Sequence, residues 1–172
     1  MWAFKELWDK GLIYEAFRVM PYSWGAETPL SNFEIRLDDA TRPRQDPAVT
    51  VSFDLAAQEG DLGPMRILAW TTTPWTLPSN LALAVGPEVT YALRRHQDGT
   101  IIVLGDEATE RYTEQLENTE PAGTLKGTEL VGRTYTPLFD FFADRTDAFR
   151  VLAADFVDAS DGTGVVHMAP GF

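Results

Sequence analysis

The sequence predicts a mainly β domain, an antiparallel barrel-like or sandwich architecture with a few short peripheral helices. Three observations carry this expectation. Short apolar runs, alternating over 49–55 and near-continuous over 67–70, recur between residues 49 and 168. Turn residues separate them, with 13 Gly and 11 Pro in 172 residues. Few stretches show a helical period. The chain is 44% hydrophobic, 12% aromatic and 23% charged, which excludes disorder and collagen-like repeats. A chain of this length buries roughly 70% of its unfolded surface, enough for one substantial core.

The elements follow in order. Residues 3–10 read as a short helix, with Phe4, Leu7 and Trp8 on one face and Gly11 suited to the position beyond its end. Residues 20–34 hold Pro21, Gly25 and Pro29 and read as an extended excursion; residues 38–47 read as a loop. Val49, Val51, Phe53 and Leu55 alternate with polar or small residues, the pattern of a half-buried strand. Residues 60–64 form a turn. Residues 65–72 form a second strand, and its near-continuous Ile67-Leu68-Ala69-Trp70 predicts burial on both faces. A strand over 81–85 follows Pro74 and Pro78. Strands over 91–96 and 100–104 flank Asp98-Gly99, a strong hairpin signal. Residues 106–117 carry the best helical pattern, with Ala108, Tyr112 and Leu116 as an apolar stripe and Glu107, Glu110, Glu114 and Glu117 as a solvated face. Further strands are expected near 129–135, 149–157 and 165–168.

Charge and rare residues narrow the function. Lys and Arg number 14 against 26 Asp and Glu, a formal net charge of −12. A field of that sign repels a phosphate backbone at long range, so a general nucleic-acid coating protein is excluded and any nucleic-acid contact must be local. There is no Cys and there are 2 His, which excludes disulfides, thiolate metal sites and a Cys nucleophile. No apolar run approaches the ~20 residues of a membrane span, and the N-terminus lacks a signal-peptide layout. A soluble, cytoplasmic, metal-free protein is expected.

Two segments could carry chemistry. In Trp70-Thr71-Thr72-Thr73-Pro74-Trp75-Thr76-Leu77-Pro78-Ser79-Asn80 an apolar strand runs into five hydroxyls, two prolines, an indole and an amide. Hydroxyls donate and accept, and the prolines hold the backbone that carries them. On composition alone, a plain strand followed by a Pro-rich turn explains this segment better than a site does. In Gly162-Thr163-Gly164-Val165-Val166-His167-Met168-Ala169-Pro170 the glycines allow a tight turn or a close approach. His167 shares a strand face with Val165, and a lone strand His is more often structural than catalytic. The Gly-Thr-Gly is neither a dinucleotide-binding nor a P-loop fingerprint. The residues by themselves reach an all-β domain and leave a hydroxyl-rich pocket as an open alternative.

Together, these two segments resemble the editing insertion (connective peptide 1) of the isoleucyl-tRNA synthetase family. The resemblance extends to Phe4-Lys5-Glu6-Leu7-Trp8-Asp9-Lys10-Gly11-Leu12, Thr28-Pro29-Leu30-Ser31-Asn32-Phe33-Glu34 and Asp46-Pro47-Ala48-Val49. Valyl and leucyl relatives carry Thr-Thr-Arg-Pro where this chain has Thr71-Thr72-Thr73-Pro74, and they lack the His of the Val-His-x-Ala-Pro string. The His-x-Gly-His and Lys-Met-Ser-Lys-Ser signatures of aminoacylation are absent. The resemblance therefore implies no use of ATP, and no cofactor, in this piece. Where many bacterial members carry a zinc knuckle, Ser23-Trp24-Gly25-Ala26-Glu27 has no thiol, so no zinc is expected.

The resemblance implies residues 1–46 as a lead-in from the class I catalytic domain and 47–172 as the editing domain. It implies hydrolysis of valine esterified to the 3′ end of tRNA(Ile), with the remainder of the synthetase in cis as partner and a monomeric state. Thr71, Thr72 and Thr73 would line the ester and the terminal adenosine and hold the attacking water. His167 would limit substrate size or contact the aminoacyl group. Trp75 would wall the side-chain pocket, with Thr76, Asn80, Gly162, Thr163 and Gly164 as further substrate contacts. In the family an Asp that pairs with the substrate's ammonium group follows the Ala-Pro string within a few residues. The chain stops at Phe172, so weak or absent hydrolysis is expected of this piece. A non-catalytic module that keeps the fold and binds the tRNA end is the alternative. An unrelated all-β interaction domain is the third reading.

Overall fold

The computed structural model describes residues 1–170. It divides into two compact units, Met1–Gln45 and Asp46–Phe172.

In the first unit, α1 (Trp2–Asp9) stacks Phe4 on Trp8 with ring centroids 6.4 Å apart. Gly11, at φ +67, ends it by donating to the Trp8 carbonyl, as its sequence position predicts. β1 (Tyr22–Ser23) and β2 (Thr28–Pro29) form a small antiparallel ladder within the excursion expected over 20–34. A 3-10 turn follows at Glu34–Arg36. No residue of this unit is buried.

The second unit is built from β3 (Val49–Asp54), β4 (Met65–Thr71), β5 (Ala82–Val85), β6 (Thr90–His96), β7 (Ile101–Gly105), β8 (Thr119–Lys126), β9 (Arg150–Ala153) and β10 (Val165–Met168). Five strands form one sheet in the order β3-β4-β7-β6-β8, and three form a second in the order β10-β5-β9. The mainly β architecture is as expected. Among the described residues the strands do not close into a continuous barrel, and the pairs β4/β7 and β5/β9 are parallel. The cause is β5: it leaves the first sheet for the second, so the chain returns to β4 by a crossover instead of a hairpin.

One core joins the sheets, with Phe53, Ile67, Leu83, Val85, Tyr91, Ile101, Val103 and Val151 among its buried residues. β4 alternates, with Met65, Ile67, Ala69 and Thr71 buried and Trp70 37% exposed. Burial on both faces is therefore corrected to a half-buried strand whose Leu68 packs on a second, smaller cluster. That cluster contains Ala108, Tyr112 and Leu116, so the stripe read from the sequence is buried as a stripe. Its backbone is not a regular α-helix but a 3-10 turn at Asp106–Glu110 followed by turns through residue 118. Thr109 Oγ1 donates to the Asp106 carbonyl there, a local bond that competes with helical pairing.

The hairpin at Asp98-Gly99 forms, with Gly99 at φ +88 and Thr100 N–H bound to the Asp98 carboxylate. That bond leads the causes that hold the Asp98 carboxyl down at about 2. The segment expected as a strand near 129–135 instead holds a helical turn, α2 (Gly127–Leu130), then isolated bridges at Thr134 and Tyr135.

Two polar ties fix the unit. Arg133, 5% exposed, grips the Asp61 carboxylate with Nη1 at 2.9 Å and Nη2 at 2.5 Å, and donates to the Ala56 carbonyl. The Arg133 bond holds the Asp61 carboxyl below its ordinary 3.8. The buried Tyr91 hydroxyl donates to the Gly164 carbonyl at 2.6 Å and accepts from Gly86 N–H at 3.1 Å.

Removing the carboxylate strands a buried guanidinium, so Asp61→Asn should cost about 3 kcal/mol in urea unfolding. The Asp61 contribution is complete above 3.8 and is lost as the pH falls through the lower folded value; the variant should lack that acid limb. Tyr91→Phe leaves a buried N–H and a buried carbonyl unpaired, and should cost about 1–3 kcal/mol in the same measurement.

Candidate functional site

The end of β4 and the start of β10 meet at a cleft of about 360 Å³. It is lined by Thr71, Thr72 and Thr73 from one segment and by Gly162, Thr163, Gly164 and His167 from the other. The two segments converge because β10 runs antiparallel to β5 with His167 opposite Leu83, and also packs beside β4.

The hydroxyls are not equivalent. Thr71 is buried; its Oγ1 accepts from Thr73 N–H at 3.0 Å and lies 3.2 Å from Thr73 Oγ1. Thr73 Oγ1 lies 3.4 Å from Thr76 Oγ1, and Thr76 Oγ1 lies 2.9 Å from His167 Nε2. Three hydroxyls and an imidazole thus form a chain along one wall. Thr72 stands outside this chain, exposed, with no hydrogen bond to a described residue. Its hydroxyl is free for a ligand or a water.

Thr76 Oγ1 lies 2.7 Å from the Thr73 carbonyl and 2.9 Å from His167 Nε2, and its single hydrogen serves one of the two. Donation to the carbonyl makes Nε2 the donor, and donation to Nε2 places the ring proton on Nδ1. Nδ1 is buried without a partner. Burial lowers the His167 pKa from 6.5, so the ring is neutral at pH 7.

The opposite wall is made of backbone. Gly162 has φ +57, and a Cβ there would come within 2.9 Å of the Trp70 ring. Gly164 has φ +70. Glycine at both positions allows the left-handed turn and the close packing that the cleft requires. Thr163 is 1% exposed, and its hydroxyl has no partner.

Three expected contacts lie elsewhere. Trp75 is 64% exposed and does not line the cleft. Thr76 does not line the cleft, and its Oγ1 contacts His167 Nε2. Asn80 is buried, with Oδ1 accepting from Tyr135 at 2.6 Å and Nδ2 donating to the carbonyls of Ala82 and Met168; its polar groups serve the core. Phe156, Val157, Asp158 and Asp161 line the cleft and were not anticipated. Their place just before Gly162-Thr163-Gly164 was the available signal. Among the described residues, no group of His, Cys, Asp and Glu could hold a metal ion, and no helix is long and apolar enough to cross a membrane.

Comparisons with known proteins place the chain in a family. A family model described as tRNA synthetases class I (I, L, M and V) matches residues 1–158. An isoleucine–tRNA ligase of Rickettsia peacockii is 54% identical over all of this chain and 16% of its own length. That of Nocardia farcinica is 54% identical over all of this chain and 17% of its own length, and that of Mycobacterium tuberculosis 52% identical with the same coverage. The chain thus spans about one sixth of the relatives it matches.

Two solved structures share the fold. One, described as GlLeuRS-CP1, is 17% identical with a TM-score of 0.59, over 70% of this chain and 54% of that one. The other, the cytosolic leucyl-tRNA synthetase editing domain of P. knowlesi, is 13% identical with a TM-score of 0.56, over 70% of this chain and 55% of that one. The chain belongs to the class I tRNA synthetase family (I, L, M and V).

Proposed function

We propose that this chain is an editing region that hydrolyses valine from tRNA(Ile), acting with the rest of a synthetase in cis. Residues 1–46 are the lead-in from the catalytic domain and 47–172 the editing domain, monomeric and cytoplasmic. The observation that carries the reading is the shared cleft: the triple-Thr strand end and His167 line one hollow. An apolar synthetic pocket rejects a substrate one methylene smaller by only about 1–3 kcal/mol, a general figure of which the isoleucine–valine pair is the standard illustration. A second, smaller hollow supplies the missing discrimination.

In this reading water attacks the ester carbonyl. A carbon–oxygen bond to water forms, the ester bond to the terminal ribose breaks, and the water's proton ends on the ribose oxygen. Thr72, with its free hydroxyl, binds the ester or the water. Thr71 and Thr73 hold the wall, and neutral His167 bounds the pocket. No Thr of the triplet has an adjacent base that would make it a nucleophile; His167 Nε2 is engaged by Thr76 and Nδ1 is buried. Catalysis then rests on positioning and polar stabilisation. Asp158 and Asp161 on the cleft wall suit the ammonium group of an aminoacyl ester. The exposed Trp75 favours a second reading, a module that binds the tRNA end without hydrolysing it.

Incubating Val-tRNA(Ile) and Ile-tRNA(Ile) with the chain, alone and within a whole synthetase, separates these readings. Selective loss of the valyl ester is expected in the synthetase. Thr72→Ala should slow that loss about tenfold or more with little change in stability. Inertness of both forms, or equal loss of both esters, ends the editing reading. A pH series tests the neutral His167. Because its folded pKa is lowered, the unfolded chain takes the proton first as the pH falls below 6.5. The His167 contribution is complete above 6.5 and declines below it, so His167→Gln should flatten that part of the urea-midpoint profile.

A further inference from the structure

We infer that Arg111 is a positioning residue for the cleft, clamping the arc from Ala159 to Gly162 and so setting where the Gly162-Thr163-Gly164 wall meets its ligand. The link to substrate placement rests on the editing reading; the clamp itself does not.

Residues 158–164 approach β10 without strand pairing, so other groups must satisfy their carbonyls. The Thr163 carbonyl accepts from Gly105 N–H at 2.7 Å, and the Gly164 carbonyl from the Tyr91 hydroxyl. These bonds fix the inner end of the arc. At its outer end, Arg111 Nη2 donates to the Ala159 carbonyl at 2.8 Å and to the Gly162 carbonyl at 3.0 Å. One nitrogen with two hydrogens therefore bridges the two ends of a three-residue step.

Arg111 is the sole basic residue between 106 and 118, among Asp106, Glu107, Glu110, Glu114 and Glu117. It nevertheless forms no ion pair among the described residues. Both Nη2 hydrogens go to the arc, and Nη1 braces against its own segment at the Glu107 carbonyl, 3.4 Å away. A charged donor makes such bonds stronger than a neutral one would. Ala159 and Gly164 pack on Gly105, so the arc has a fixed floor beneath it. Arg111 supplies the lateral hold that the exposed Asp158, Ser160 and Asp161 do not.

The test compares the chain with Arg111→Met, which removes the donor, and Arg111→Lys, which keeps a shorter one. Hydrogen exchange over 159–164 is measured beside exchange over β3 and β4, with urea unfolding as the folding control. In Arg111→Met, exchange over 159–164 should quicken at least tenfold while β3 and β4 stay unchanged, with Arg111→Lys between. In a synthetase containing this chain, kcat/KM for Val-tRNA(Ile) should fall about tenfold in Arg111→Met and recover in part in Arg111→Lys. Unchanged exchange over 159–164, or a uniform rise across the molecule, overturns the clamp. A loosened arc with unchanged kcat/KM overturns its role in substrate placement. If the parent shows no deacylation, the editing reading fails on its own. Exchange then judges the clamp, and binding of a non-hydrolysable valyl-adenosine analogue judges placement: weaker binding in Arg111→Met supports it, and equal binding overturns it.

Discussion

The register of β10 against β5 is the constraint on which the cleft depends. Val165 pairs with Val85 and His167 with Leu83, so the two residues share a face. Val165 is buried in the core, and that burial fixes which way His167 turns. A slip of one residue would exchange the faces and carry the imidazole away from the threonines. The apolar packing of Val165, Leu83 and Val85 thus determines a polar arrangement at some remove from it. Gly105 and Tyr91, on neighbouring strands of the other sheet, hold the approach to β10 by its carbonyls and reinforce the same register.

The polar wall divides its labour. Thr71, Thr73 and Thr76 spend their hydroxyls on one another, on backbone and on His167, and so behave as framework. Thr72 contributes nothing to that framework and is the hydroxyl presented outward. A row of identical side chains therefore contains one group available for chemistry and neighbours that fix its surroundings. The buried hydroxyl of Thr163 and the Nδ1 of His167 are unusual in remaining unpaired. Native interiors tolerate few such groups; of those among the described residues, these two line the cleft and Arg133 Nε lies away from it.

Much of this was legible in the sequence. Alternation located β3, and the Asp98-Gly99 pair located the hairpin of β6 and β7, because turn chemistry and side-chain period act locally. The two motifs were visible as strings of residue types. Several features were not. β8 contains Pro121 and Gly123 and little apolar character, so it carries no strand pattern of its own; it exists because β6 offers it a partner. The stripe of Ala108, Tyr112 and Leu116 identified what is buried but not the backbone geometry, since turns of several kinds can present that spacing. The parallel pairing of β4 with β7 depends on where β5 goes, which is a tertiary choice. The difference between Thr72 and its neighbours arises from hydrogen bonds, not from residue type. Arg111 lies 51 positions from Gly162 in an acidic stretch that looks like plain solvated surface.

β8 has a consequence beyond pairing with β6. It is the last strand of the five-stranded sheet, and its register shifts opposite Leu93 and Arg94. Pro121 has no amide hydrogen to offer, and the irregularity breaks the even spacing of the groups around it. A second polypeptide approaching that margin meets an interrupted template, so strand-by-strand growth into a fibril finds no foothold there.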